Sequence, residues 1–130
     1  MPQVNDDVQI RVLLVDDSGE FRELLQALIE TTGHFAVVAT ADSGEAAVAM
    51  VADVAPDLVV MDYRMHGLDG IAATRLITER HPEIAVVLVS SSGLDEEELV
   101  GCGALAFLRK SEASGRRLGE LWAEHQAALS

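Results

Sequence analysis

Residues 58–70 read LVVMDYRMHGLDG, in which four apolar residues run directly into a single carboxylate, Asp62. An uninterrupted apolar run this short is typical of a strand buried on both faces, as in a parallel sheet with helices on each side. Such sheets bind ligands beyond the carboxyl ends of their strands, where Asp62 falls. An aspartate after a strand is more often a helix cap or turn residue, so its role depends on the rest of the chain.

Strand-like and helix-like patterns alternate along the chain and predict five βα units. Such alternation predicts a parallel sheet with right-handed crossovers, and we expect a doubly wound α/β, flavodoxin-like fold with strand order 2-1-3-4-5. The predicted strands are residues 10–15, 35–40, 58–62, 84–89 and 104–108.

The helices between these strands are predicted from caps and apolar periodicity. The first follows Ser18, the second follows Asp42 or Ser43, the third runs from Gly70 to about Arg80, the short fourth covers 95–100, and the last begins near Ser111 or Ser114. Their apolar faces are predicted as Phe21, Leu24, Leu25, Leu28 and Ile29; Ala46, Ala47, Met50 and Val51; Ile71, Thr74 or Arg75, and Ile77; and Leu118, Leu121, Trp122 and Leu129.

Composition bounds the protein class. The 130 residues fit one domain, predicted over 10–130 after a loose segment 1–9. A net charge of −13 with nine basic residues argues against direct nucleic-acid binding by this segment. No apolar run approaches the roughly 20 residues of a membrane span. Cys102 is the only cysteine, which favours a reducing, cytoplasmic setting.

Polar residues end the predicted strands on one edge of the sheet. Carboxylates held close together repel one another, and a hard divalent cation such as Mg²⁺ relieves that repulsion. A lysine at the same edge can bind one oxygen of a ligand. An aspartate nucleophile, Mg²⁺ and a lysine are the parts needed for phosphoryl transfer onto a carboxylate. The residues are Asp16 and Asp17 after strand one, Asp62 at strand three, Ser90 at strand four and Lys110, the only lysine, after strand five.

This constellation resembles the receiver domain of bacterial two-component response regulators over residues 10 to about 129. The matching features are the acidic pair Asp16-Asp17, the phosphoacceptor Asp62 with its following loop, the hydroxyl residue Ser90, the switch aromatic Phe107 and the lysine Lys110. The first third of the chain is most similar to receivers fused to helix-turn-helix output domains. Both a stand-alone receiver and a piece of a longer regulator fit the sequence.

The resemblance implies a function for each of these residues. Asp62 would accept a phosphoryl group from a sensor histidine kinase or a phosphotransfer protein, with Mg²⁺ held by Asp16, Asp17, Asp62 and the backbone carbonyl of Arg64. Ser90 and Phe107 would switch the face made by helix four, strand five and helix five, where an effector or a second copy would dock. Such a domain catalyses its own phosphorylation and dephosphorylation but is best classed as a signalling protein.

The sequence departs from the family pattern in residues near the site, among them Ser91, where a smaller Ala or Gly is common, and in the length of helix four. His66 and Ser111 stand where the family usually has proline, and the 20 positions from Ser90 to Lys110 leave room for only a short fourth helix. A cis bond before a non-proline residue costs about 3 kcal/mol, so we expect a trans Lys110–Ser111 bond.

Other functions remain open from the residues alone. A phosphorylation-independent interaction module would keep the fold and leave the site idle. A phosphohydrolase of the haloacid dehalogenase type requires a second acid two residues after Asp62, and that position is Arg64 in this sequence. A nucleotide-binding domain requires a glycine-rich loop after strand one. The residues at that place are Asp16-Asp17-Ser18-Gly19, which do not form such a loop.

Overall fold

A computed structural model describes residues 9–65, 69–91 and 96–129. Most of the segment predicted to be loose lies outside these residues. The same holds for His66 and for Asp95, where the fourth helix is predicted to begin.

The sheet has five parallel strands in the order β2-β1-β3-β4-β5, which confirms the predicted flavodoxin-like topology. The fourth and fifth strands begin one and two residues later than predicted. The strands are β1 (Ile10–Val15), β2 (Phe35–Ala41), β3 (Leu58–Asp62), β4 (Ala85–Ser90) and β5 (Ala106–Arg109).

Side-chain caps start three of the helices just after the strand ends. Ser18, Ser43 and Asp69 each accept a hydrogen bond from the backbone N–H three residues later, which satisfies a donor that the helix itself leaves unpaired. Ser43, rather than Asp42, therefore caps the second helix. The helices are α1 (Gly19–Glu30), α2 (Gly44–Val54), α3 (Gly70–Arg80), α4 (Glu96–Leu99) and α5 (Gly115–Leu129), with a 3-10 turn at Lys110–Glu112.

The core lies on both faces of the sheet, as the apolar run of β3 predicts. Val59 and Met61 join a cluster that includes residues of α2 and α3, whereas Leu58 and Val60 join one that includes residues of α1 and α5. All five residues of β3 are buried, Asp62 included. Burial on both faces fixes this strand and so fixes the position of its terminal carboxylate.

The predicted apolar faces of the helices are wider than those the structure buries. Only Leu25 and Ile29 of α1 are buried, while Leu24 and Leu28 are 56% and 39% exposed. The stripe is broader than the area that α1 covers on the sheet, so its outer row faces solvent. Leu129, at the very end of α5, is likewise exposed.

The third helix settles an alternative that the sequence left open. Thr74, and not Arg75, faces the sheet: Thr74 is fully buried and Arg75 is exposed. The hydroxyl of Thr74 donates to the carbonyl of Gly70 at 2.6 Å, so its polar group is satisfied within the helix.

Candidate functional site

Three strand ends bring their charged side chains together, as the sequence predicts. The ammonium of Lys110, just after β5, lies 2.8 Å from Oδ2 of Asp16 and 3.3 Å from Oδ2 of Asp62. Asp16 follows β1 and Asp62 ends β3. Lys110 therefore joins strands that are far apart in sequence, through two ion pairs at one edge of the sheet.

Asp17 completes an acidic cluster with Asp16 and Asp62. One carboxylate oxygen from each of the three residues lies within 4.8 Å of the others. Asp16 and Asp62 are buried and Asp17 is exposed, so the cluster opens to solvent on one side. Oxygen ligands at this spacing fit a hard divalent cation such as Mg²⁺.

Residues at the start of α1 hold Asp16, one of the two buried acids of this cluster. Oδ1 of Asp16 accepts a hydrogen bond from the backbone N–H of Ser18 at 2.8 Å, and its carbonyl accepts one from the guanidinium of Arg22. Sequence reasoning missed Arg22; its only signal was a basic residue in the first turns of the helix after the acidic pair. These contacts leave Oδ2 of Asp16 for Lys110.

Asp62 lies in an environment that disfavours its charge. Burial, followed by the negative charge of Asp16, raises the pKa of Asp62, while Lys110 and the backbone N–H of Arg64 act in the opposite direction. That N–H donates to Oδ1 of Asp62 at 3.3 Å. A cation that bound beside Asp62 would relieve the repulsion between the two buried carboxylates.

Glycine at position 70 lets α3 approach the loop that carries Asp62. A Cβ on Gly70 would overlap the carbonyl oxygen of Asp62 and lie 3.0 Å from Cα of Tyr63. The N–H of Gly70 donates to the carbonyl of Tyr63 at 3.1 Å. The path of the chain directly after Asp62 therefore leaves room only for glycine at position 70.

Lys110 is held as a cation from more than one side. Burial by itself would lower the pKa of Lys110, but the hydrogen bond to Asp16 and the charges of Asp62 and Asp16 outweigh it, so the pKa is raised. The ammonium also lies 4.0 Å from the centre of the Phe21 ring. The sequence pattern assigned Phe21 to the apolar face of α1 and gave no signal for this contact.

The loop after Lys110 adopts the trans peptide bond that its serine predicts. Residues 110–112 form a 3-10 turn, and Oε1 of Glu112 accepts a hydrogen bond from the backbone N–H of Arg109 at 3.1 Å. This side chain ties the turn to the end of β5.

The other predicted site residues lie on β4, on β5 and in the loop after β3. Ser90 ends β4 and is 2% exposed; the residue before it, Val89, pairs with Asp62. Phe107 lies in β5, three residues before Lys110, and is 37% exposed. Arg64 is exposed, with its guanidinium carbon 5.0 Å from the centre of the Tyr63 ring.

Comparison with known proteins identifies the family of this chain. Residues 12–120 match the response regulator receiver domain. The chain belongs to this family. Receiver domains act in two-component phosphorelays with histidine kinases and phosphotransfer proteins, and they bind Mg²⁺ at an acidic pocket. The cluster of Asp16, Asp17 and Asp62 has the composition of such a pocket.

Individual relatives of this receiver have different overall functions. It is 42% identical over 113 residues to protein-glutamate methylesterase/protein-glutamine glutaminase 2 of Methanospirillum hungatei, covering 82% of this chain and 31% of the relative. It is 34% identical over 122 residues to the transcriptional regulatory protein DegU of Brevibacillus brevis, covering 94% and 48%. The receiver thus spans 31% and 48% of the length of these two relatives, less than half of each.

A solved structure supports the same assignment. The signal receiver domain of the putative response regulator NarL from Mycobacterium tuberculosis superposes with a TM-score of 0.79 at 27% identity, covering 86% of this chain and 94% of that one. Across the part of the receiver that the structure describes, none of the helices has the length and apolar character needed to span a bilayer.

Proposed function

We propose that Asp62 is the phosphoacceptor of this receiver and takes its phosphoryl group from a sensor histidine kinase or a phosphotransfer protein. The observation that carries the proposal is the ammonium of Lys110 between the carboxylates of Asp16 and Asp62 at 2.8 and 3.3 Å. A buried carboxylate with a fixed cation beside it can receive a phosphoryl group whose new negative charge is stabilised at once.

The proposed reaction is an in-line displacement at phosphorus. A carboxylate oxygen of Asp62 forms a bond to phosphorus while the bond from phosphorus to the donor breaks, and the donor retains that electron pair. Lys110 would bind an oxygen of the transferred group, and the hydroxyl of Ser90 would donate a hydrogen bond to another. When bound, Mg²⁺ neutralises phosphoryl charge, and Asp17, Asp62 and the carbonyl of Arg64 would hold it, with Asp16 acting mostly through water.

Intact mass spectrometry tests this assignment. The receiver is incubated with Mg²⁺ and acetyl phosphate, and we expect a mass gain of one phosphoryl group that is lost in Asp62→Asn. The matched control is Asp53→Asn, an exposed aspartate near the end of α2. Equal phosphorylation of wild type and Asp62→Asn would overturn the proposal, and so would a wild type that gains no mass.

We further propose that phosphorylation switches the face made by α4, β5 and α5. Ser90 would move toward the phosphoryl group, and Phe107, now 37% exposed, would turn to a more buried position. Ligand-driven switching requires contacts that differ between the two states, and a charge-assisted hydrogen bond from Ser90 supplies about 1.5–3 kcal/mol of difference. An effector or a second copy of the receiver would dock on this face.

A comparison of Ser90→Ala with wild type tests the switch. Beryllofluoride mimics the phosphoryl group, and NMR shifts of the Phe107 ring and amide report the rearrangement. We expect large shifts in wild type and small ones in Ser90→Ala. Equal shifts in both proteins would show that Ser90 is not the link.

The alternatives raised by the sequence have less support. A phosphohydrolase of the haloacid dehalogenase type needs an acid at position 64, and the exposed Arg64 cannot act as one. An interaction module with an idle site has no need of the two ion pairs at Lys110. A cytoplasmic location stays a prediction from the sequence.

A further inference from the structure

We propose that Phe21 is a positioning residue for Lys110, holding the ammonium above the phosphoacceptor Asp62 through the face of its ring. This inference rests on the proposed role of Asp62. The ammonium lies 4.0 Å from the centre of the Phe21 ring, well within the roughly 6 Å over which a ring face attracts a cation. The attraction strengthens where water is excluded, and the side chain of Lys110 is only 15% exposed.

The ring supplies a contact that the carboxylates cannot. Lysine is a flexible four-carbon chain with a point charge at its end, so an ion pair constrains the ammonium more than it constrains the chain behind it. Asp16 and Asp62 attract the ammonium from the ends of β1 and β3, whereas Phe21 contacts it from the first turn of α1. A contact from a third element restricts the ammonium to fewer positions.

Asp16 determines the position of the ring as well as that of the lysine. Its Oδ1 accepts the N–H of Ser18 at 2.8 Å, and Oγ of Ser18 accepts the N–H of Phe21 at 3.3 Å. Its Oδ2 accepts from Lys110 at 2.8 Å. Contacts therefore link all four residues in a closed cycle. Through this cycle, the carboxylate of Asp16 positions both the ammonium of Lys110 and the aromatic face that the ammonium contacts.

Loss of the ring face should slow phosphorylation of Asp62. Without the ring, the ammonium is in position during a smaller fraction of encounters with the phosphodonor. Its charge then stabilises the transferred phosphoryl group less often. A cation–ring contact at a partly exposed site corresponds to a change of about two- to five-fold. We expect Phe21→Leu, which keeps an apolar side chain but has no ring, to phosphorylate more slowly by about this factor.

Because Lys110 is the only lysine, selective labelling reports on it alone. Protein grown with ¹³C-lysine gives one set of side-chain signals, and the ring current of Phe21 should displace the Hε protons upfield. We expect Phe21→Leu to remove this displacement and increase side-chain mobility. Phe21→Tyr keeps the ring face and should restore both the shift and the acetyl phosphate rate. Leu24→Ala, an exposed change on the same helix, should leave both at wild-type values.

Fluorinated phenylalanines separate the charge effect from packing. Fluorine weakens the negative ring face with little change of shape, so a packing role would give the same rate with every ring. We expect the phosphorylation rate to fall stepwise from phenylalanine to trifluorophenylalanine at position 21. Equal rates across this series, or unchanged lysine signals in Phe21→Leu, would overturn the proposal. If wild type accepts no phosphoryl group, the role of Asp62 fails, and the lysine signals still decide whether Phe21 holds Lys110.

Discussion

Ionised Asp62 is an unfavourable charge in this fold. Burial and the neighbouring Asp16 raise its pKa above the ordinary 3.8, so the folded receiver binds this proton more tightly than the unfolded chain. Stability therefore falls as pH rises from 3.8 through the raised pKa. Above the raised pKa the full penalty is present, and below the ordinary pKa it is absent.

Replacing Asp62 by asparagine should remove this penalty. In metal-free buffer at neutral pH, we expect Asp62→Asn to raise the free energy of unfolding measured by urea titration. The gain should shrink as pH falls through the ionisation range of the carboxyl, because protonated aspartic acid is already neutral. Asp53→Asn, an exposed change on α2, should show no such pH dependence. A stabilisation that stays constant down to acid pH would contradict the charge argument.

Arg22 gives a second prediction for a single side chain. It fixes the carbonyl of Asp16 and so supports the loop that carries two of the acids. We expect Arg22→Met to weaken Mg²⁺ binding by about two- to ten-fold, less than the full value of a charge-assisted hydrogen bond, because Arg22 acts on the site only through the carbonyl of Asp16. Calorimetric titration measures this affinity. Arg75→Met, at an exposed arginine of α3, is the control. Equal losses in the two variants would point to general electrostatics instead.

At the scale of elements, the junction between β3 and α3 is sterically tight. A methyl group on Gly70 would overlap the carbonyl of Asp62, so the start of α3 or the site loop must shift. We expect Gly70→Ala to destabilise the fold by about 1–3 kcal/mol and to slow phosphorylation. Gly119→Ala on α5 meets nothing within 4 Å and should stabilise by about 0.5–1 kcal/mol. Urea unfolding of both variants checks this, and equal effects would contradict it.

The fourth helix should open more readily than the first. The described part of α4 is Glu96–Leu99, and the first four N–H groups of any helix lack intrahelical partners. Leu99 is buried and anchors the end of this turn. We therefore expect amides of α4 to exchange with deuterium much faster than those of α1. Hydrogen exchange followed by NMR measures this, and protection equal to that of Leu25 and Ile29 would refute it.

The elements also show how far sequence reasoning reaches. Strand ends are predictable because buried strands have an unmistakable apolar pattern and parallel topology brings their ends to one edge. The sequence alone therefore places Asp16, Asp62 and Lys110 together. It does not predict the contact between Phe21 and Lys110, because that contact depends on the rotation of α1 about its own axis. The exposure of Leu24 and Leu28 is missed because the apolar stripe is broader than the area that α1 covers on the sheet.

At the scale of the whole molecule, the receiver carries a net charge of −13. Any added salt will therefore screen the repulsion between its negative charges to some extent. A specific Mg²⁺ site should add to this general effect. A ligand that binds only the folded state stabilises it by about 2.7 kcal/mol at one hundred times its dissociation constant. Specific binding therefore predicts a rise in the thermal midpoint that continues with the logarithm of the Mg²⁺ concentration and exceeds the rise in NaCl of equal ionic strength.

A variant of Asp17 separates specific Mg²⁺ binding from general screening by salt, because Asp17 is exposed and yet contributes to the acidic cluster. We expect Asp17→Asn to fold normally and to lose most of the Mg²⁺-dependent rise, while keeping the smaller rise in NaCl. Asp53→Asn changes the net charge by the same amount but lies on α2, so it should respond to both salts as wild type does. If Asp17→Asn and Asp53→Asn respond alike, the stabilisation comes from general screening of the acidic surface. A loss confined to Asp17→Asn means that one cation bound at the strand ends offsets the repulsion concentrated there.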